Sequence, residues 1–231
     1  MKLVVGMLVK NEAHRYLTEV VQSIGTFADE LVVIDDSSTD HSMSLIQTYT
    51  TLPTYFHRNP CLDFSNEVLY RKMLYQKVLE RGPDWLMVLD ADEIFRPASR
   101  KAFETLMDQQ RVDVWGFRLY DMWNDLDYRA DCFWKAHDNY FDMLVRVIPD
   151  FKPIWREVPQ HCGRLPVNIA MLRRSGTDHL RIKHYGWSKL EDRLQKYTRY
   201  KLYDPEGKYG NLGQYESILD PFPNLIKWSD G

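Results

Sequence analysis

The stretch that decides the fold is LVVIDDSSTD, residues 31–40, in which four aliphatic residues run directly into a polar segment. A short apolar run bounded by polar residues is typical of a strand that is buried on both faces of a parallel sheet. Asp, Ser and Thr directly after such a strand are residues that commonly cap the start of a helix. This stretch therefore predicts a strand followed by a helix, the repeating unit of an α/β fold.

Two other stretches in the first half have the same pattern. LVVGMLVKNE, residues 3–12, precedes an amphipathic helix that begins near Leu17, and WLMVLDADE, residues 85–93, follows a helix predicted over residues 65–81. A short third strand is predicted over residues 54–57. Strands that alternate with helices predict right-handed crossovers and a mainly parallel sheet.

The second half of the chain has a less regular pattern. It predicts a helix over residues 98–110 and strands over residues 112–120 and 143–148. A further helix is predicted from Ser188, because SKLE has the spacing of a capping box. The tail from Asp204 is rich in Gly, Pro and Asn and is predicted as loop.

Composition restricts the class of protein. The 231 residues are 44% apolar and 27% charged, which is the balance of a folded domain rather than a disordered chain. The formal net charge of −3 argues against nucleic acid as a partner. Three cysteines without metal-ligand spacing, Cys61, Cys132 and Cys162, predict no disulfide framework and a reducing compartment. No apolar segment is long enough to span a bilayer, so cytoplasmic residence is expected, with peripheral membrane contact left open.

Polar clusters follow three of the predicted strands, at residues 10–12, 35–36 and 90–92. The carboxyl ends of parallel strands meet at one edge of the sheet, and this edge is where α/β proteins bind ligands. The Asp-x-Asp of residues 90–92 suits a hard divalent cation such as Mg²⁺ or Mn²⁺, although an ordinary acidic turn has the same sequence. The pair at residues 35–36 suits a base that offers a ring N–H, or the N-cap of the next helix. Residues 11 and 12 are explained equally well by helix capping.

The stretches MLVKNE (residues 7–12), LVVIDDSSTD (residues 31–40) and LDADE (residues 89–93), in this order, resemble glycosyltransferase family 2. The resemblance implies a GT-A fold, in which a Rossmann-like, mainly parallel sheet is flanked by helices. It implies one domain with a nucleotide-sugar-binding half, residues 1–110, and a mixed α+β half, residues 111–231, for the acceptor and the C-terminal helix.

The same resemblance implies a nucleoside-diphosphate sugar donor, with UDP preferred, a divalent Mn²⁺ or Mg²⁺, and inversion at the anomeric carbon. The processive synthases of the family carry a Gln-x-x-Arg-Trp motif that residues 195–200 do not match, so transfer of a single sugar is expected. The acceptor is not identifiable and could be a glycan, a lipid-linked glycan, a protein or a small molecule. The donor site is expected to include Val9, Asn11, Glu12, Asp35, Asp36, Arg71, Asp90 and Ala91, with Asp92 holding the metal.

Two further assignments come from the second half. His184 resembles the late histidine that joins the Asp-x-Asp on the metal of many GT-A enzymes, so Asp90, Asp92 and His184 are the predicted metal ligands. A structural histidine at a helix entry is the alternative, and His179 beside Asp178 is a competitor.

An inverting transfer needs a base to accept the proton of the acceptor. The family often places it in a His-Glu pair, which here reads Arg156-Glu157. We therefore predict Glu157 as the base, with Asp142 and Asp138 as alternatives, and count Asp92 with it as catalytic.

Basic residues on two predicted helices have both a structural and a functional interpretation. Either Arg71 or Lys72 could reach the donor phosphates, while the other would be solvated. The C-terminal helix carries four basic residues that form either a solvated face or a contact with diphosphate, an anionic acceptor or a membrane surface. These four are Lys189, Arg193, Lys196 and Arg199.

Two other functions remain open at the level of sequence. A nucleotidyltransferase acting on a sugar phosphate also uses carboxylate-held metal on an α/β sheet, but it would carry a Gly-rich basic loop where this chain has residues 10–12. A non-catalytic nucleotide-sugar-binding module would keep the donor pocket without turnover.

Overall fold

The structure, a computed structural model, describes residues 1–58, 66–158 and 161–229. Its strands and helices follow one another in an α/β order through the first half and in a mixed order afterwards. In chain order they are β1 (Leu3–Val9), α1 (Leu17–Gly25), β2 (Glu30–Asp35), α2 (Ser42–Tyr49), β3 (Thr54–Arg58), α3 (Glu67–Leu79), β4 (Trp85–Asp90), β5 (Glu93–Arg96), α4 (Arg100–Met107), β6 (Val114–Asp121), β7 (Asp127–Arg129), β8 (Tyr140–Arg146), β9 (Arg174–His184), α5 (Leu190–Tyr203), α6 (Leu212–Ser217) and β10 (Leu225–Lys227).

An eight-stranded sheet with the order β3-β2-β1-β4-β8-β6-β9-β5 forms the centre of the molecule. Strands β3, β2, β1 and β4 pair in parallel, β8 is antiparallel to both β4 and β6, and β9 is parallel to β6. Strand β6 therefore runs in the same direction as β4, and six of the eight strands share that direction. The predicted α/β fold with a mainly parallel sheet is confirmed.

Alternate residues of β1 enter two different cores. Leu3, Val5 and Met7 pack with α1, α2 and α4 on one face, whereas Val4 packs with α3 on the other. This period of two is the geometry of a strand, and burial on both faces explains why the apolar run is continuous. Gly6 lets α3 approach closely, because a Cβ at this position would lie 2.7 Å from Val78 Cγ2.

Three predicted elements differ from the observed ones in extent or in capping. The helix predicted over residues 65–81 is α3, and residue 65 lies outside the described residues. The helix predicted over residues 98–110 is shorter in the structure. The predicted capping box at Ser188 is wrong: α5 begins at Leu190 without a side-chain cap, because the Ser188 hydroxyl bonds the Tyr16 hydroxyl and the Tyr185 carbonyl instead.

The strands β5 and β9 are absent from the sequence prediction. Strand β9 reads RSGTDHLRIKH, and its first residues are exposed, so only Leu180 and Ile182 mark it as a buried strand. The tail predicted as loop contains α6 and β10, the latter paired with β7. No helix among the described residues is long and apolar enough to cross a membrane.

Candidate active site

The carboxyl ends of the parallel strands gather the polar clusters at one edge of the sheet. Val9 pairs with Asp35 across β1 and β2, and Leu8 pairs with Asp90 across β1 and β4. Strands β6 and β9 run in the same direction and end on the paired residues Asp121 and His184. Five strand ends thus deliver carboxylates and an imidazole to the same edge, where α/β sheets bind their ligands.

Asp92 and His184 face each other at this edge. The His184 Nε2 atom lies 3.7 Å from Asp92 Oδ1, and the Nδ1 atom lies 2.7 Å from Asp121 Oδ1. A carboxylate on one ring nitrogen fixes the tautomer and the orientation of a histidine, which leaves the other nitrogen free to coordinate a metal. The structure therefore brings together two of the three predicted metal ligands and supplies an orienting carboxylate for one of them.

Gly186 leaves open the space between these groups. A Cβ at this position would lie 2.6 Å from Asp92 Oδ2 and 2.8 Å from His184 Nε2, and it would also contact Lys196 Nζ. Cβ atoms essentially never make contacts this short, so a side chain at residue 186 would displace at least one of the three polar groups.

Asp90, the third predicted metal ligand, has different partners. Its Oδ1 accepts a hydrogen bond of 3.0 Å from Arg71, and its Oδ2 lies 3.6 Å from Arg164. Burial disfavours its charged form, but these two guanidinium groups more than offset that cost and hold the pKa of Asp90 well below its usual range. Asp90 therefore neutralises two arginines, and Ala91 between the two aspartates is buried.

An ion pair between the buried Glu93 and the largely buried Arg164 lies behind Asp90. Both oxygens of Glu93 accept hydrogen bonds of 2.7 Å from Arg164, and Glu93 Oε2 also accepts one from the Asp90 amide. Arg71 is buried as well and is shared between Glu67 and Asp90. The predicted phosphate ligand Arg71 thus helps to hold the Asp-x-Asp turn in place.

Residues 10–12 and 35–42 form a single continuous rim. Asn11 has a left-handed backbone with φ of 55°, and its side-chain oxygen accepts a hydrogen bond from the Thr39 amide. The Glu12 amide donates to Ser42 Oγ at 2.7 Å. The side chain of Asn11 therefore ties the β1–α1 loop to the β2–α2 loop, and it does not cap α1, which has no side-chain cap.

The two aspartates that follow β2 have different surroundings. Asp35 Oδ1 accepts a hydrogen bond from the Ser38 amide, and Asp35 Oδ2 lies 3.8 Å from Arg58 Nε. Asp36 is more deeply buried, its Oδ2 lies 2.6 Å from Lys10 Nζ, and its amide donates to the Val9 carbonyl. Asp35 therefore serves the local turn, whereas Asp36 lies against the β1 loop.

Glu12 links this rim to helix α5. Its carboxylate accepts hydrogen bonds from Arg15, which also lies 2.9 Å from Asp192 on α5. Burial raises the pKa of Glu12 to about 7, the Arg15 charge opposes this shift, and the Asp92 charge adds to it. Near neutral pH a fraction of Glu12 is protonated, so this carboxyl group is able to donate as well as accept a hydrogen bond.

The predicted base lies on the loop that follows β8. Glu157 forms an ion pair of 2.5 Å with Lys72, and this is its one polar contact within the part of the chain that the structure describes. The alternatives are paired elsewhere: Asp142 with Arg174, and Asp138 with His137. No structural contact joins Glu157 to the Asp92 and His184 groups, so its role stays a prediction.

Four polar residues of this edge are not among the predicted site residues: Asp121, Glu93, Arg164 and Lys196. The sequence pattern could have identified Asp121, because this residue directly follows a strand that the pattern predicts over residues 112–120. Arg164 lies in an irregular segment with no periodicity, so nothing local connects it to Glu93. His179, the competitor of His184, donates its amide to Thr177 and lies before the end of β9.

Comparison with known proteins identifies the family. The family model for Glycosyl transferase family 2 matches residues 4–181 of the chain. The chain belongs to glycosyl transferase family 2. The resemblance seen in the three strand-end motifs is confirmed, and the match extends through the Asp-x-Asp into β9.

Solved structures of the family's fold resemble this one. S. aureus TarS superimposes with a TM-score of 0.60 at 17% identity, over 95% of this chain and 42% of that one. A shorter form, TarS 1-349 in complex with UDP, gives a TM-score of 0.58 at 16% identity, over 95% of this chain and 70% of that one. The predicted GT-A fold is therefore confirmed.

The curated relatives that the chain matches are longer than the chain itself. Uncharacterised proteins of Mycobacterium tuberculosis and Mycobacterium bovis are each 24% identical over 94% of this chain. The chain covers 54% of each relative, so it spans about half the length of the curated relatives it matches.

Proposed function

We propose that this family 2 member transfers a single sugar, with inversion, from a nucleoside-diphosphate sugar to an acceptor. The observation that carries the proposal is the Asp92–His184 pair, oriented by Asp121, at the edge where β1 and β2 deliver their polar loops. UDP is the preferred nucleotide, and the fold's likeness to TarS, which has been crystallised with UDP, supports this preference.

Asp92 and His184 fit a divalent cation. No group of three or more His, Cys, Asp and Glu side chains in residues 1–58, 66–158 and 161–229 is placed to hold a metal. Mg²⁺ is commonly bound through only one or two carboxylates together with substrate phosphates, and Mn²⁺ also accepts imidazole. We therefore propose Asp92 and His184, without Asp90, as the protein ligands of Mn²⁺ or Mg²⁺. When bound, the ion supplies charge neutralisation for the diphosphate leaving group.

The nucleotide is proposed to lie along the rim of residues 9–12 and 35–42. Asp35 and Asp36 both stay candidates for reading a ring N–H of the base: Asp35 Oδ1 accepts from the Ser38 amide, and Asp36 Oδ2 accepts from Lys10 Nζ. Val9 and Glu12 line the same rim, and a protonated Glu12 would offer a donor to the ribose or the phosphate. Asn11 and Arg71 contribute by holding the loops that carry these groups.

Glu157 remains the proposed base. Its side chain is 64% exposed and lies on a loop, where a carboxylate can move to an acceptor hydroxyl without breaking a buried contact. The exposed pair with Lys72 holds it weakly, since such pairs contribute little free energy. A base that accepts the acceptor proton as the new bond forms is needed for inversion in one displacement.

Release of the nucleotide from the donor tests the proposal. The purified protein would be incubated with UDP-, GDP-, dTDP- and CMP-sugars, with Mn²⁺ or with EDTA. We expect slow hydrolysis of one donor, in which water replaces the acceptor, only in the presence of Mn²⁺. Binding of a donor without release of its nucleotide, with acceptor mixtures present, would favour the non-catalytic binding module.

Gly186→Ala is expected to weaken Mn²⁺ binding by about 10- to 100-fold, because the methyl group displaces Asp92 and His184 from each other. Electron paramagnetic resonance of free Mn²⁺ measures this affinity directly. The melting temperature of the variant, recorded beside that of the wild type, separates a loss of metal binding from a loss of folding. Unchanged Mn²⁺ affinity in the Gly186 variant would remove this pair from the metal site.

Glu157→Gln is expected to lower kcat by about 100-fold or more, the usual contribution of a general base, with little change in UDP affinity. Steady-state transfer and calorimetric UDP binding separate the two effects. Glu206→Gln in the C-terminal segment is the matched control. Near-wild-type transfer by Glu157→Gln would assign the base to another carboxylate.

A further inference from the structure

Lys196 places an ammonium group inside the candidate site. The residue lies on α5, and its side chain is only 14% exposed. The Nζ atom lies 3.8 Å from Asp92 Oδ2 and 4.3 Å from the centroid of the Trp187 ring. A lysine so buried normally uses its hydrogen-bond donors, yet across residues 1–58, 66–158 and 161–229 the structure gives this ammonium no hydrogen bond.

The rest of α5 anchors this lysine to the nucleotide rim. Asp192, one helical turn before Lys196 and on the same face, is buried and pairs with Arg15 at 2.9 Å. Lys189 donates to the His14 carbonyl at 2.7 Å. Helix α5 is therefore held against the β1–α1 loop at two points, and Lys196 points from it toward Asp92.

The ammonium and a divalent cation would compete for the same carboxylate. Asp92 presents Oδ1 to His184 and Oδ2 to Lys196, and the Gly186 position shows that all three groups border one small space. Two cations within a few ångströms repel one another strongly in a partly buried site. An entering diphosphate removes that repulsion, because its negative charge is shared between them.

From this geometry we infer that Lys196 is a phosphate-binding residue of the donor site: it opposes binding of a divalent cation alone and strengthens binding of a nucleoside diphosphate together with the cation. The inference rests on the proposed function, because it takes the ligand of this edge to be a nucleoside diphosphate. It also selects one of the four basic residues of the C-terminal helix, since Lys189 and Arg193 bond backbone carbonyls instead and Arg199 is exposed.

Two binding measurements on Lys196→Met test this inference, and neither depends on turnover. Mn²⁺ binding without nucleotide is followed by electron paramagnetic resonance, and UDP binding at saturating Mn²⁺ is followed by calorimetry. The variant is expected to bind Mn²⁺ alone about threefold tighter or more, because a repelling charge is gone. It is expected to bind UDP about 10-fold weaker or more, because a charged hydrogen bond to phosphate is lost.

The control variants separate the effect of losing the Lys196 charge from any effect on folding. Lys201→Met removes a lysine of the same helix that pairs with Glu216, and both affinities are expected to match the wild type. Lys196→Arg retains the charge and is expected to restore UDP affinity to within about threefold. If Lys196→Met is unstable, the arginine variant compared with Lys196→Gln gives the same contrast.

Each outcome has a defined meaning. UDP affinity in Lys196→Met equal to the wild type overturns the phosphate-binding role, and an unchanged Mn²⁺ affinity overturns the competition with the cation. Wild-type protein that binds UDP but releases no nucleotide from any donor contradicts the proposed function and leaves the Lys196 result valid. Wild-type protein that binds no nucleoside diphosphate contradicts both.

Discussion

Asp92→Asn is expected to reduce sugar transfer by about a thousandfold or more. A neutral amide binds a divalent cation much more weakly than a carboxylate does, so the cation that neutralises the diphosphate leaving group would be lost. Charge stabilisation of a leaving group contributes several kcal/mol to a transition state, and each 1.4 kcal/mol corresponds to a tenfold change in rate. Asparagine has nearly the same shape as aspartate, so the Tyr185 amide can still donate to the main-chain carbonyl of residue 92.

The measurement is donor hydrolysis or transfer over a range of Mn²⁺ concentrations, with the melting temperature recorded for each variant. Asp108→Asn is the matched control, because Asp108 ends α4 and lies on the chain just before β6 begins, away from the carboxyl ends of the strands. We expect the melting temperatures of both variants to remain close to that of the wild type. Full turnover in Asp92→Asn would remove the metal site from this pair of residues.

Glu93→Ala is expected to have the largest effect on stability of any single substitution at the site. Glu93 is 1% exposed, and both of its oxygens pair with Arg164. Removing one partner of a buried ion pair leaves the other charge without compensation, which costs about 3–5 kcal/mol of the free energy of unfolding. The Asp90 amide also loses its acceptor, so the Asp-x-Asp turn is expected to loosen with it.

Urea denaturation of the single and double variants measures this effect. Replacing both partners, Glu93→Leu with Arg164→Met, is expected to recover much of the loss, since two apolar side chains leave no buried charge unpaired. Asp90 then keeps Arg71 as its partner. A single variant within 1 kcal/mol of the wild type, as is typical for exposed ion pairs, would mean that the pair is solvated in the protein.

The strand-end motifs made much of the fold predictable from sequence. The continuous apolar runs of β1, β2 and β4 mark strands buried on both faces, and the polar residues that follow them lie where the topology brings strand ends together. The placement of Asp36 and Asp92 at one edge therefore follows from local patterns and from the direction of parallel strands, whereas His184 was assigned from the family resemblance, because β9 was not predicted.

The remainder depends on contacts between segments distant in the chain. Arg164 reaches Glu93 from an irregular segment 71 residues away, and no periodicity indicates that pairing. Asp90 was predicted as a metal ligand, and the Asp-x-Asp pattern does not reveal that two arginines also lie against its carboxylate. Strand β9 was not predicted because its first three residues are exposed and only two of its buried residues, Leu180 and Ile182, are apolar.

Lys196 illustrates the same limit on the functional side. In the sequence, Lys196 is one of four basic residues on a predicted helix, and such a group is typical of a solvated helix face. Only the packing of α5 against the β1–α1 loop shows that its ammonium enters the site while its neighbours bond the main chain.

The most direct test of the account is the melting temperature of the wild type and of Asp92→Asn with UDP, with Mn²⁺, and with both. A ligand at about 100 times its dissociation constant stabilises the native state by about 2.7 kcal/mol, which shifts the melting temperature of a chain of this size by about 5 °C or more. We expect this shift for the wild type only when UDP and Mn²⁺ are present together, and its loss in Asp92→Asn. An equal shift in both proteins, or one that UDP produces without Mn²⁺, would contradict a metal-assisted diphosphate site at Asp92.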